Sequence, residues 1–257
     1  MTQGPHTLPV SEGSKIAVPK RFMQTWKDYQ VPEHWSPSPE SVKRLHPDWD
    51  YHLMSDEDNR AFVAHHFPQY LQTYDELPYP IMRVDMVRYC WLYVNGGVYM
   101  DLDSELTSSL EPLLQKGELF LAQSPNASMY LTNSLMASRA GHPLWLDVLE
   151  AIKAGPPIWA TTLKHLHVMA GSGPYLLDQV VKSKGHRYTL LPPELVSAYS
   201  LCDDTSVDKG AILRPLQGCS WGGADTRFLN TCYCQKWLVC LLLVLVPLAL
   251  LWPWLTG

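Results

Sequence analysis

The sequence has little charge, and less positive charge than negative: only 18% of its 257 residues are charged, and 20 Lys+Arg against 25 Asp+Glu leave a net charge of -5. Without a basic excess there is no broad electrostatic footprint for nucleic acid, so no nucleic-acid partner is expected. The six cysteines, Cys90, Cys202, Cys219, Cys232, Cys234 and Cys240, include no C-x-x-C pair. Their spacing therefore implies neither a zinc template nor a disulfide framework, and reduced thiols are expected. Met1 to Lys15 lacks the apolar stretch of a secretory leader and is broken by Gly4, Pro5 and Pro9. No internal repeat is visible.

What is present is a 46% hydrophobic chain, a globular content large enough for one sizeable core. It ends in an uncharged apolar run, Trp237 to Leu255. As a helix this run would extend ~28 Å, close to the ~30 Å hydrocarbon core of a bilayer. Trp237, Trp252 and Trp254 suit the two interfaces, and Pro247 would kink the helix. A single-pass C-terminal membrane anchor is expected. Arg227 and Lys236 precede the run and no basic residue follows it, so the positive-inside rule puts the body in the cytosol, on the vote of two charges. The Asn126-Ala127-Ser128 sequon would be modified only in a lumenal body.

The expected organisation is a flexible segment 1–15, a domain 16–230, a juxtamembrane linker 231–236 and a transmembrane helix 237–255. Short strands are expected between Ile16 and Trp26, over Trp49 to Met54, Val98 to Met100, Leu119 to Ala122 and Leu135 to Ala137. Helices are expected after Ser55, with Asp58 completing a capping pair, and over Ile81 to Asn95, Leu144 to Lys153 and Tyr175 to Lys182. Such alternation indicates an α/β domain.

The chemistry concentrates after the Gly96-Gly97 turn, where a short strand delivers Asp101-Leu102-Asp103. In extended chain Asp101 and Asp103 share a side, an oxygen-rich pair suited to a hard divalent cation, Mn²⁺ or Mg²⁺, which could hold a diphosphate. Arg83, Asp85 and Arg88 lie on the preceding helix, where an arginine could fork onto phosphate and Asp85 could accept from sugar hydroxyls.

The run R-V-D-M-V-R-Y-C-W-L-Y-V-N-G-G-V-Y-M-D-L-D resembles the D-x-D sugar-binding region of glycosyltransferase family 32, which includes initiating α-1,6-mannosyltransferases and inositol phosphorylceramide mannosyltransferase catalytic subunits. Val18-Pro19-Lys20 with Gln24-Thr25-Trp26, His46-Pro47-Asp48-Trp49, Ser55-Asp56-Glu57-Asp58, Asn133, Ala140-Gly141-His142-Pro143, Gly171-Ser172-Gly173-Pro174 and Ser220-Trp221 follow the family's further landmarks in order. The spacing from Asp85 to Asp103 is also similar to that of glucosylating clostridial toxins. The resemblance implies a Rossmann-like GT-A domain that binds a nucleotide sugar with Mn²⁺ or Mg²⁺ and transfers the sugar with retention. It further implies a donor-binding set of Gln24, Trp26, Arg83, Asp85, Arg88, Tyr99, Asp101, Ser220 and Trp221, an acceptor-binding Asn133, and Asp101 and Asp103 as metal ligands. Asp85, Arg88, Asp101, Asp103 and Trp221 are the implied catalytic residues. Family members often carry a His shortly before the Ser-Trp pair; here Arg214-Pro215-Leu216-Gln217-Gly218-Cys219 stands instead, and Arg214 is the expected replacement for neutralising phosphate.

A hexosyltransferase using GDP-mannose or a UDP-hexose, with a glycolipid, sphingolipid or glycan acceptor at a membrane, is the reading that follows. Two alternatives stay open: an inactive membrane-tethered module binding nucleotide sugar or glycan, and a haloacid-dehalogenase-type phosphatase, which also uses D-x-D at a strand end.

Overall fold

The computed structural model describes residues 18–124, 131–191, 202, 211–216, 218 and 220–236. The expected flexible segment and transmembrane helix lie outside these residues. Among the described residues no helix is long and apolar enough to cross a membrane.

The strands are β1 (Arg21–Thr25), β2 (Asp50–Met54), β3 (Gly97–Met100), β4 (Ser104–Leu106), β5 (Leu119–Gln123), β6 (Leu131–Ser138), β7 (Thr189–Leu191) and β8 (Leu213–Pro215). The helices are α1 (Pro37–Leu45), α2 (Asp56–His66), α3 (Leu71–Glu76), α4 (Pro80–Asn95), α5 (Pro143–Ala154), α6 (Lys164–Gly171), α7 (Pro174–Lys184) and α8 (Ala224–Cys234). Six strands form one mixed sheet in the order β2-β1-β3-β6-β5-β7, with β6 antiparallel to both neighbours; β4 and β8 make a separate antiparallel pair. An open α/β sheet of this kind binds ligands outside the carboxyl ends of its strands. Here that edge is where β1 ends at Thr25 and β3 at Met100. The antiparallel β6 beside β3 sets this sheet apart from an all-parallel doubly wound core.

Two apolar clusters cover the two faces. One gathers Met86, Tyr89, Trp91 and Leu92 of α4 with Tyr99, Met136, Trp145 and Leu149, and the other joins Phe22, Val98, Met100 and Phe120 to Trp49, Leu106 and Leu213. Buried on most of its circumference, α4 shows no single apolar stripe. Its exit is sterically fixed: Gly96 and Gly97 both have positive φ, and a Cβ on Gly97 would stand 2.5 Å from the main-chain oxygen of Arg21.

The capping pair at α2 is present as expected, with the Ser55 hydroxyl accepting from the Asp58 N–H and the Asp58 carboxylate accepting from the Ser55 N–H. Three features depart from the sequence reading. Cys202 and Cys234 form a disulfide, although the cysteine spacing implied none; two distant segments meet here, which spacing does not reveal. Residues 231–234, expected as linker, continue α8. The β4–β8 pair was not foreseen, because three-residue strands carry almost no periodic signal.

Candidate active site

The D-x-D pair leaves the end of β3 directly, and the Asp101 N–H is bonded to the Ser134 carbonyl of β6 at 2.9 Å. Arg88 is 2% exposed and organises the acids around it. Its Nη2 lies 3.0 Å from Asp85 Oδ1 and its Nη1 3.2 Å from Asp101 Oδ1, while Nη1 also donates to the Asn133 carbonyl at 2.8 Å. The guanidinium sits 4.4 Å from the centre of the Tyr99 ring, and the Tyr99 hydroxyl donates to the same Asp101 oxygen. Asp85 and Arg88 are i,i+3 on α4, but both are buried, so the pair is far from an exposed helix pair worth a few tenths of a kcal/mol.

Negative charge exceeds positive here. Burial pushes the Asp85 carboxyl up to about 6 despite Arg88. Burial, then the neighbouring Asp101, raises Asp103 well above the usual carboxylate range. Arg88 is held firmly protonated: burial opposes its charge, but Asp101, Tyr99 and Asp85 outweigh it. A divalent cation would relieve that excess. Asp101 Oδ2 has no hydrogen bond or ion pair among the described residues, leaving an oxygen available as a ligand. Among the described residues no group of three His, Cys, Asp or Glu forms a ready-made cage. Hard cations such as Mg²⁺ bind through one or two carboxylates plus substrate phosphates, so Asp101 and Asp103 fit that mode.

These residues open onto a cleft of about 260 Å³ lined by Thr25, Trp26, Trp35, Pro80, Ile81, Val84, Arg88, Tyr99, Asp101, Asp103, Ser220 and Trp221, among others. Trp26 stands edge-on to Trp35 at 4.9 Å, with its buried Nε1 lacking a hydrogen-bond partner among the described residues. The segment carrying Ser220 and Trp221 is led in by β8, whose partner β4 follows Asp103 directly; the Leu216 N–H donates to the Asp103 carbonyl at 2.7 Å. One loop therefore links the acids to the residues across the cleft. A larger cavity of about 870 Å³, lined by Gly117, Arg139, His142 and His186 among others, opens at the opposite end of the sheet and contains none of the expected site residues.

The structure thus brings together Trp26, Arg88, Tyr99, Asp101, Asp103, Ser220 and Trp221. Four expected residues stand apart from the cleft wall. Gln24 is fully buried, donating to Ser38 Oγ at 2.8 Å and accepting from the Tyr51 hydroxyl at 2.9 Å. Arg83 donates to the Leu77 carbonyl at 3.2 Å. Asp85 accepts from Ser172 Oγ at 2.7 Å and from Asn133 Nδ2 at 2.9 Å, so both its oxygens are engaged inside the protein. Asn133 is buried behind Arg88, its amide shared between Asp85 and the Tyr89 hydroxyl at 3.0 Å. These four act from behind the wall, and Asp85 and Asn133 aim Arg88. Arg214, expected to neutralise phosphate, pairs instead with Glu105 across the β4–β8 pair. Lys27, Trp35 and Asp56 also line the cleft; neither charge pattern nor periodicity marks them in the sequence. Ser172 lay within a quoted landmark, but its bond to Asp85 depends on α6 and α7 packing beside α4.

Residues 32–120 match the family described as "Glycosyltransferase sugar-binding region containing DXD motif". Inositol phosphoceramide mannosyltransferase 3 of Schizosaccharomyces pombe is 33% identical over 228 residues, covering 86% of this chain and 60% of the relative. Mannosyl phosphorylinositol ceramide synthase CSH1 of Saccharomyces cerevisiae is 29% identical over 214 residues, covering 83% of this chain and 55% of the relative. The chain thus spans little more than half the length of these two curated relatives. The ligand-free glycosyltransferase domain of the YGT toxin has a similar fold, with a TM-score of 0.51 at 7% identity over 65% of this chain and 78% of that one. The D-x-D at the end of β3, the arginine behind it and the sequence similarity along most of the chain agree: residues 32–120 are a D-x-D glycosyltransferase sugar-binding region, and the chain is similar to family 32 mannosyltransferases well beyond it.

Proposed function

We propose that the chain is a metal-dependent retaining hexosyltransferase that moves mannose from GDP-mannose to a hydroxyl of a sphingolipid-type acceptor, with a UDP-hexose as the alternative donor. The observation that carries this reading is the buried Arg88 aimed at Asp101 beside Asp103, at the mouth of the cleft. The names of the two relatives support mannose and an inositol phosphoceramide acceptor. A divalent ion held by Asp101 and Asp103 would supply Lewis-acid stabilisation of a diphosphate. Arg88 adds fixed positive charge in a site shielded from water, where such charge acts most strongly. Trp26, on the cleft wall, offers a ring to the nucleoside. Among the described residues no side chain forms an obvious covalent nucleophile, so attack by the acceptor hydroxyl on the face the diphosphate leaves is the route proposed. Positioning then carries much of the rate. Incubation with a panel of nucleotide sugars and Mn²⁺, measuring release of nucleoside diphosphate, should single out GDP-mannose. Asp103→Ala should lower that release roughly a hundredfold or more; wild-type release at saturating metal would remove Asp103 from the site.

The proposal includes a single-pass anchor at 237–255. It would hold the cleft within reach of lipid-linked hydroxyls at high effective concentration. The Cys202–Cys234 disulfide supports an oxidising compartment for the body, against the two-charge vote for the cytosol. A protease-protection assay together with glycosidase treatment distinguishes the two: an exposed N-terminus and an unmodified Asn126 would favour the cytosol.

A further inference from the structure

Beside the cleft, next to Trp221, stands a cation outside the expected site residues. Lys164 opens α6, and its Nζ donates to the main-chain carbonyl of Trp221 at 2.6 Å. The same ammonium lies 5.6 Å from the centre of the Tyr79 ring. Tyr79 immediately precedes Pro80 and Ile81, which line the cleft together with Trp221. The charge therefore sits next to the Trp221 and Pro80 parts of the cleft wall.

Its partners set it apart from the lysines that are held by carboxylates. Lys20 pairs with Asp48 and Glu111, Lys182 with Asp178, and Lys184 with Asp147. Lys164 has no carboxylate partner among the described residues; it meets a neutral carbonyl and a π face, neither of which cancels its charge. The residue after it fixes it to the segment from Trp221 to Asp225, here called the lid side of the cleft. The His165 ring stacks on Trp221 at 5.5 Å and 20°, and its main-chain N–H donates to Asp225 Oδ2 at 2.7 Å. Lys164 and the segment from Trp221 to Asp225 are thereby held as one piece. Arg214 pairs with Glu105, whereas Lys164 stands beside Trp221 with no carboxylate partner among the described residues.

We propose that Lys164 is a donor-binding residue, its ammonium taking the diphosphate of the nucleotide sugar from the lid side. Before the donor enters, the Trp221 carbonyl keeps the ammonium beside the cleft. When a diphosphate arrives, a charge-assisted bond replaces a bond to a neutral oxygen, the stronger of the two. The inference rests on the glycosyltransferase reading above.

Calorimetry on the full chain in detergent with Mn²⁺, using GDP, UDP, GMP and UMP, tests it. Lys164→Met should weaken binding of the diphosphate that wild type takes up by about 10- to 100-fold, the range of a lost bond between charged groups. The matching monophosphate should lose less than about threefold, and Lys164→Arg should retain most of the affinity, because both effects depend on charge at the distal phosphate. Thermal melting of each variant, expected within roughly 3 °C of wild type, keeps folding separate from binding. Equal losses for diphosphate and monophosphate, or no loss for either, would overturn the role of Lys164 and leave the enzyme reading intact. A wild-type protein that binds neither diphosphate would instead defeat the donor reading, and this inference with it.

Discussion

Arg88 is the residue on which the site turns, because among the described residues it is the cation enclosed by Asp85, Asp101 and the Tyr99 ring. Removing it leaves buried acids without compensation, which typically costs about 3–5 kcal/mol. Arg88→Met should therefore lower the chemical-denaturation midpoint as well as abolish transfer, whereas Asp103→Ala should lower transfer with far less effect on stability. A midpoint for Arg88→Met within experimental error of wild type would show that the acids find another partner. At this scale the sequence marked Arg88, Asp101 and Asp103 by pattern and Trp26 and Trp221 by resemblance, but left Lys27 and Trp35 of the same cleft unmarked. It was unreadable where an amide or acid faces inward. Gln24, Asp85 and Asn133 carry the same hydrogen-bonding groups whether they face a ligand or Ser38, Ser172 and Tyr89, and only packing decides between these.

Two elements fix the site by their joints. The α4–β3 turn brings the backbone of β3 so close to β1 that a Cβ on Gly97 meets the Arg21 carbonyl, at a φ of +93° that L residues rarely adopt. Gly97→Ala should cost ~3 kcal/mol from strain and overlap combined. It should also reduce the activity of the folded fraction, because Asp101 lies only four residues on. Gly185→Ala, also at positive φ but in the left-handed helical region and facing open space, is the control and should cost only about 1–2 kcal/mol. At α5, His142 is the N-cap, its Nδ1 accepting from the Leu144 N–H at 3.3 Å. That bond needs an unprotonated Nδ1. Burial, then the charge of Arg139, holds the imidazole down to about 4 from its ordinary 6.5. Between those values the unfolded chain binds more protons than the folded one, so stability rises with pH across this window and is lost on acidification. Melting temperature should fall between pH 7 and pH 5, and His142→Asn, which keeps a capping acceptor, should flatten that slope; an unchanged slope would assign it to other buried histidines. Helix α4 and the capping pair of α2 were legible because both write their ends in local residues. The β4–β8 pair was not, since its register is set by residues more than a hundred positions apart.

For the whole molecule, the partition of the chain into an α/β body and an apolar tail followed from composition, while the Cys202–Cys234 bond joining its late segments did not. Closing a ring of some thirty residues restricts the unfolded chain by about 3–4 kcal/mol in the chain-entropy estimate. A reductant should therefore lower the melting temperature of the wild type and leave a Cys202→Ser/Cys234→Ser double variant unmoved. If both responded equally, the thiols would not be paired in the isolated protein. The ring also has a topological effect. It contains Ser220 and Trp221 and closes at Cys234, only two residues before the basic Lys236 and the apolar run beyond it. The body is thus joined to its C-terminal end by two covalent routes, one along the backbone and one through sulfur. A single proteolytic cut anywhere between Cys202 and Cys234 would open the ring without severing the protein from that end.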